Sequence, residues 1–161
     1  MSLREHSIYD CIINNALNYS DEIALVSGDL RLTYGEVPLH VNSLARGLLK
    51  TGFEKGDRIA VLLNNCSEYA LLLAACTRIG LITVCLNPRT SADEMRKMLE
   101  QAKPKALIFQ KSYEQQADEL RELGIHRQLY CIDEASILSS SFDQLLDEDP
   151  SPLTESQPAV D

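Results

Sequence analysis

The chain lacks most of the signatures that would name a chemistry outright. Its 161 residues contain no G-x-G-x-x-G for a dinucleotide, no Walker A loop for a nucleotide and no G-x-S-x-G nucleophile elbow. The seven glycines, Gly28, Gly35, Gly47, Gly52, Gly56, Gly80 and Gly124, are scattered, and each has a turn, cap or packing role. Cysteine occurs five times, as Cys11, Cys66, Cys76, Cys85 and Cys131, but never as C-x-x-C, and no histidine stands at zinc-finger spacing. An odd count without a framework argues against a secreted disulfide scaffold. Most sit in apolar runs such as Leu73-Ala74-Ala75-Cys76, so all five are expected to act as small core residues in a reducing, cytoplasmic setting.

Long apolar runs are missing too. The longest, Tyr69 to Cys76, falls far short of the ~20 residues of a membrane helix. Residues 1–14 carry Arg4, Glu5 and Asp10 and no continuous apolar core, so no signal peptide is expected. There is no basic stripe. The formal net charge is -9, and residues 143–161 hold Asp143, Asp147, Glu148, Asp149, Glu155 and Asp161 without a Lys or Arg. That leaves 18 acidic against 15 basic residues in 1–142. The balance excludes nucleic acid and a purely electrostatic attachment to an anionic membrane.

His6, His40 and His126 follow no catalytic or metal pattern. His40 falls among Asn42, Arg46 and Lys50, off the apolar face of its helix, and is expected to be solvated. Ser139-Ser140-Ser141 reads as a loop with helix-capping capacity. Glu114, Asp118 and Glu122, four apart, read as a solvated helix face. No catalytic and no metal-ligating residue is assigned.

What is there is an ordinary globular composition, 45% hydrophobic and 24% charged, in a chain long enough to bury about 70% of its unfolded surface. Ile8, Ile12, Ile13, Ala16 and Leu17 give residues 5–19 a helical rhythm. Strands at 23–26 and 31–33 flank the turn Ser27-Gly28-Asp29. Thr33 and Glu36 have capping-box spacing, and Val37, Val41, Leu44 and Leu48 form one helix face, with Pro38 near its start and Gly52 at its end. Then strands at 58–63, 82–86, 106–109 and 128–132 alternate with helices. One is capped by Asn65 and Glu68 and runs to Ile79, apolar almost all round and therefore deeply buried. The next is capped by Ser91 and Glu94 and runs to Ala102. The last carries Tyr113, Ala117, Leu120 and Leu123 and stops at Gly124. Phe142–Leu146 is expected as a short helix. Such alternation predicts an α/β fold with a doubly wound, mostly parallel sheet and helices on both faces. Residues 1–146 form that unit, and 147–161 read as an acidic, Pro- and Ser-containing linker.

One segment carries a candidate site. Asn87-Pro88-Arg89 follows a predicted buried strand and opens a helix. Ligands of parallel sheets sit outside the carboxyl ends of strands, and a helix N-terminus favours anions. Arg89 would add a permanent bidentate donor. Two readings stay open: a phosphate contact, or a turn stiffened by Pro88 and capped by Ser91 with Arg89 in solvent.

Several segments together resemble the adenylate-forming, AMP-binding superfamily of acyl-CoA synthetases, adenylation domains and luciferases. Leu32-Thr33-Tyr34-Gly35-Glu36-Val37 is similar to its early LTYxEL motif. Leu44-Ala45-Arg46-Gly47-Leu48 through Gly52 and Lys55-Gly56-Asp57-Arg58-Ile59-Ala60-Val61 resemble its next conserved stretch. Arg78-Ile79-Gly80 through Leu86-Asn87-Pro88-Arg89 resembles the LNPR signature of the acyl- and aryl-CoA synthetases. Glu94 and the strand 105–109 also fall in place. The chain departs from the pattern at Pro38, at Leu81, where Ala is frequent, and at Cys85, where Pro is frequent.

The resemblance implies the N-terminal part of an ATP-dependent carboxylate–CoA ligase for fatty or aromatic acids, acting through an acyl-adenylate. ATP, Mg²⁺ and CoA are the implied cofactors, and the Asn87–Arg89 turn is implied to lie near the CoA nucleotide. The Ser/Thr/Gly-rich phosphate loop, the aromatic-Gly-x-Thr-Glu motif, the ribose-holding Asp and the mobile C-terminal domain with its Lys are not in these 161 residues. The chain alone is therefore expected to be inactive and to bind no cofactor tightly. Its expected partners are the remaining subdomains, a small carboxylic acid and, through an exposed docking face, a second copy. A non-catalytic interaction module of the same fold is the alternative. An unrelated flavodoxin- or receiver-like domain is disfavoured, because only Asp133 follows a strand.

Overall fold

The computed structural model describes residues 7–122, 128–133 and 139–153. Internal contacts divide the chain into two units, one of residues 1–55, 66–80 and 146–161, the other of 56–65 and 81–145.

The first unit is built on three helices and a hairpin. Helix α1 (Ile8–Asn18) starts at Ser7, whose hydroxyl accepts from the Asp10 N–H while the Asp10 carboxylate accepts from the Ser7 N–H. The apolar face of α1 is offset from the one expected. Tyr9 is buried, Ile12, Ile13 and Ala16 are half-buried, and Ile8 and Leu17 are exposed. An Ile/Leu count overlooks the tyrosine as the anchor. Strands β1 (Ile23–Ser27) and β2 (Leu30–Thr33) pair antiparallel around Gly28-Asp29, with Gly28 at φ 57°.

Thr33 and Glu36 make the expected reciprocal bonds, at 2.8 and 3.3 Å. They close a turn ahead of the helix, because α2 begins at Val37 and runs to Lys50. The Thr33 N–H holds the Glu36 carboxyl below its ordinary range. Pro38 falls in the first turn, where its missing N–H has no intrahelical partner to lose. Gly35 has a steric reason to be glycine: a Cβ there would lie 2.6 Å from Ser20 Oγ.

Helix α3 (Ser67–Ile79) corrects two expectations. Its N-cap is Cys66, with no side-chain cap, so Asn65 does not start it. Ala70 and Thr77 are exposed, so it is not buried all round. Gly80 ends it at φ 73°, where a side chain would also meet Lys55 Cγ at 2.8 Å.

The second unit carries a parallel sheet. Its strands are β3 (Arg58–Leu62), β4 (Ile82–Cys85), β5 (Ala106–Phe109), β6 (Gln128–Cys131) and β7 (Ser140–Ser141), in the order β4-β3-β5-β6-β7. Every pairing is parallel. Helices α4 (Ala92–Ala102) and α5 (Glu114–Glu122) follow β4 and β5. Since side chains alternate along a strand, Ala60, Leu62, Leu107, Phe109, Leu129 and Cys131 point one way. They pack with Met95, Leu99, Ala117 and Leu120 in one buried cluster. The alternate residues Ile59, Val61, Ala106 and Ile108 are fully buried as well.

Two further expectations change. Ser139-Ser140-Ser141 is not only a loop: Ser140 and Ser141 pair with Tyr130 and Cys131 as β7, a short polar edge without a hydrophobic pattern to announce it. The capping expectation stands, since Ser141 Oγ accepts from the Asp143 N–H at 3.2 Å ahead of the 3₁₀ turn Phe142–Leu145. The cysteines are not uniformly core: Cys76 and Cys131 are buried, Cys66 is half-buried, and Cys11 and Cys85 are exposed. Cys85 lies on edge strand β4, and a short apolar run does not reveal where its strand stands in a sheet. Leu123, Gly124, His6 and His126 lie outside the described residues.

Leu99 is wholly buried in the cluster. Leu99→Ala is expected to cost about 2–5 kcal/mol, read as a lowered urea midpoint. An unchanged midpoint would show that this layer does not hold the second unit together.

Candidate functional site

Counted from its first strand, the parallel sheet has the order 2-1-3-4-5, so strand addition reverses at β3. Ligands of such sheets collect at the carboxyl ends beside the reversal. Here those ends carry Asn64 after β3, Asn87–Arg89 after β4, Gln110 and Lys111 after β5 and Asp133 after β6.

The β3–β5 end is cross-linked by its own side chains. The Asn64 N–H donates to Gln110 Oε1 at 2.8 Å, and the Tyr113 hydroxyl donates to Asn64 Oδ1 at 2.7 Å. Asp133 Oδ2 accepts from the Lys111 N–H at 2.7 Å, and Lys111 Nζ pairs with Glu114 at 2.7 Å. Sequence reasoning missed the Asn64–Gln110–Tyr113 bridge. Asn64 stands more than forty positions from the other two, and the β3–β5 pairing unites them.

At β4, the Leu86 N–H still donates to the Val61 carbonyl at 2.8 Å, and the chain then leaves the sheet. Asn87 folds the exit into a turn: its Oδ1 accepts from the Arg89 N–H at 3.0 Å and its carbonyl from the Thr90 N–H at 2.9 Å. Pro88 is half-buried, and Asn87 and Arg89 are exposed. Ser91 and Glu94 then form the expected capping box. Ser91 Oγ accepts from the Glu94 N–H at 3.3 Å, and Glu94 Oε2 accepts from the Ser91 N–H at 3.2 Å. Asp93 is also in the first turn. Lys97 and Arg96 hold its carboxyl down, to about 2. The α4 start thus combines one exposed guanidinium, on the turn, with two carboxylates that complement the helix dipole.

The carboxylates at this end have partners: Asp93 pairs with Arg96 and Lys97, Glu94 with Ser91 and Asp133 with Lys111, while at the opposite, amino end of the strands Asp57 pairs with Lys105. Among the described residues no group of three His, Cys, Asp or Glu side chains could hold a metal ion. Burial pushes the Cys66 thiol up, which disfavours a thiolate nucleophile at α3.

Comparison with known proteins settles the relationship. Residues 13–160 match the family described as AMP-binding enzyme. The chain belongs to the AMP-binding enzyme family. The acyl-CoA ligase SID4 of Ajellomyces capsulatus is 30% identical over 148 residues, covering 88% of this chain and 25% of that protein. 4-coumarate–CoA ligase 1 of Petroselinum crispum is 30% identical over 145 residues, covering 88% of this chain and 26% of that protein. A Rhodopseudomonas palustris structure described as a long-chain-fatty-acid CoA ligase superposes with a TM-score of 0.86 at 30% identity, covering 96% of this chain and 39% of that one. The chain therefore spans about a quarter of the length of these two curated relatives. The α/β class and parallel sheet expected from the alternation are those of this AMP-binding chain.

The lowered Asp93 carboxyl sets a pH test. A depressed acid contributes above its unfolded value of about 3.9 and loses that contribution as pH falls toward its folded value. Asp93 is expected to titrate near 2 by NMR, and α4 to begin fraying only below pH ~4. Titration at the ordinary value would show that the Arg96 and Lys97 pairs do not form in solution.

Proposed function

We propose that the chain is the N-terminal part of an ATP-dependent carboxylate–CoA ligase. Residues 1–146 are its N-terminal α/β subdomain, and 147–161 the acidic segment leading onward. The observation that carries this reading is the family match over residues 13–160, joined by acyl-CoA and 4-coumarate–CoA ligases at 30% identity. The whole protein would join a fatty or aromatic acid to CoA through an acyl-adenylate, using ATP and Mg²⁺. The 161 residues alone are expected to make no acyl-CoA, because the family's Ser/Thr/Gly-rich phosphate loop and aromatic-Gly-x-Thr-Glu motif are not among them.

Within this reading Asn87, Pro88 and Arg89 are the neighbourhood of the CoA nucleotide. Asn87 shapes the turn, Pro88 stiffens it, and Arg89, exposed at a strand's carboxyl end, presents a fixed positive fork to a phosphate. Five cysteines without a disulfide framework favour a reducing, cytoplasmic setting for the whole protein. Its partners are its own further subdomains and the acid substrate, not nucleic acid. Exposed Ile8, Leu17, Tyr19, Ile23, Val26 and Leu30 of the first unit supply an apolar surface for self-association of the isolated chain.

The full gene product is expected to catalyse acid-dependent ATP–pyrophosphate exchange against a panel of fatty and aromatic acids, and the 161-residue chain none. Exchange by the short chain would overturn its inactivity; no exchange with any acid by the full product would overturn the ligase reading. In that full product Arg89→Ala is expected to raise the KM for CoA about tenfold, the loss of one charge-assisted bond of ~1.4 kcal/mol, with exchange unaffected. An unchanged KM removes Arg89 from the CoA site. In sedimentation the short chain is expected to dimerise or aggregate as its concentration rises, and a clean monomer at high concentration counts against the docking face.

A further inference from the structure

The first residues of the acidic segment are seated on the helices of the first unit, and mainly by their backbone. The Ser43 hydroxyl donates to the Asp147 carbonyl at 2.6 Å, and the Asp147 N–H donates back to the Ser43 carbonyl at 3.2 Å. Arg46 Nε donates to the Asp149 carbonyl at 3.2 Å, and its Nη2 to the Ser151 carbonyl at 2.9 Å and hydroxyl at 3.0 Å. Asn42 Nδ2 donates to the Pro150 carbonyl at 3.3 Å, and Arg78 Nη2 to the Leu153 carbonyl at 3.0 Å. Five carbonyls between 147 and 153 are thus read by four side chains of α2 and α3. Lys50 and Arg46 add ion pairs to Asp147 and Asp149.

The reading side chains are themselves pre-set. Asn42 is 1% exposed in the middle of α2, a position that a helix normally gives to an apolar residue. The Tyr9 hydroxyl donates to its Oδ1 at 2.8 Å, which fixes the amide and aims Nδ2 at Pro150. The guanidinium carbon of Arg78 lies 4.3 Å from the Tyr9 ring centre. Its Nε is buried with no hydrogen-bond partner among the described residues, and the guanidinium is held instead by the Tyr9 ring and, through Nη2, by the Leu153 carbonyl. On the strap side, Pro150 and Pro152 carry no N–H and favour an extended backbone whose carbonyls face outward. Asp147 and Asp149 fold the intervening links, accepting from the Asp149 and Ser151 N–H groups at 3.0 and 2.9 Å.

We propose that α1, α2 and α3 form a receptor for an extended, proline-containing strap, and that its occupant is residues 147–153 of the same chain. Asn42, Arg46 and Arg78 are positioning residues that fix the path of the strap between Asp149 and Leu153.

Hydrogen exchange of the 161-residue chain tests it. In the parent chain the amides of Asp147, Asp149 and Ser151 are expected to be protected at every concentration. Arg46→Gln is expected to speed their exchange about tenfold, the change corresponding to ~1.4 kcal/mol of lost charge-assisted bonding, with the amides of Val41–Leu48 unchanged. Should Arg46→Gln unfold α2, Ser43→Ala decides instead: it removes one strap bond with a good helix former and is expected to speed Asp147 alone. Exchange of 147–153 at the rate of an unprotected chain, or protection indifferent to both substitutions, overturns the strap. Protection that appears only as a dimer forms with rising concentration assigns the strap to a second copy and overturns the same-chain occupant.

Discussion

Everything at the candidate site hangs on one apolar layer, the inward residues of β3, β5 and β6 closed over by Met95 and Leu99 of α4 and Ala117 and Leu120 of α5. Parallel strands need both faces shielded, and burying a side chain of this size stabilises by about 1.5–3 kcal/mol. The layer sets the register in which β3 pairs with β4 and β5. That register brings Asn64, Gln110 and Tyr113 together and puts the Asn87–Arg89 turn at the same end.

The site end shows two kinds of polar chemistry. At β3 and β5 the side chains satisfy one another, a closed network that rigidifies the strand ends. At β4 the turn is closed by Asn87 and Ser91, and Arg89 extends from it exposed. In the first unit the polar chemistry binds the chain's own later segment. There a buried Asn42 is tolerable because Tyr9 and the Pro150 carbonyl complete its hydrogen bonding.

Most of the second unit was legible in the sequence, for physical reasons. Short apolar runs bounded by Gly, Pro and capping residues encode buried strands and helix ends locally, and the Ser91–Glu94 box and, in the first unit, the Gly80 stop are where those rules place them. What was illegible depends on tertiary position. Cys85 looks like core until β4 proves to be an edge; Ser140-Ser141 looks like loop until β6 offers it a partner; Asn65 looks like a cap until the helix begins two residues later. Asn42 and Arg46 look like a solvated helix face beside His40, yet they meet carbonyls more than a hundred residues away. Local spacing holds no trace of such partners. The family resemblance was carried by the order of several weak motifs between Leu32 and Phe109, and the match over residues 13–160 includes all of them.

The central claim is that these residues open a carboxylate–CoA ligase, and the gene that encodes them tests it most directly. Reading the coding sequence beyond the codon for Asp161 is predicted to reveal, within a short distance, a Ser/Thr/Gly-rich loop followed by Lys, the phosphate-binding element absent from residues 1–161. A stop codon at that point, or a continuation without such a loop, would contradict the account and leave a binding module built on the AMP-binding fold.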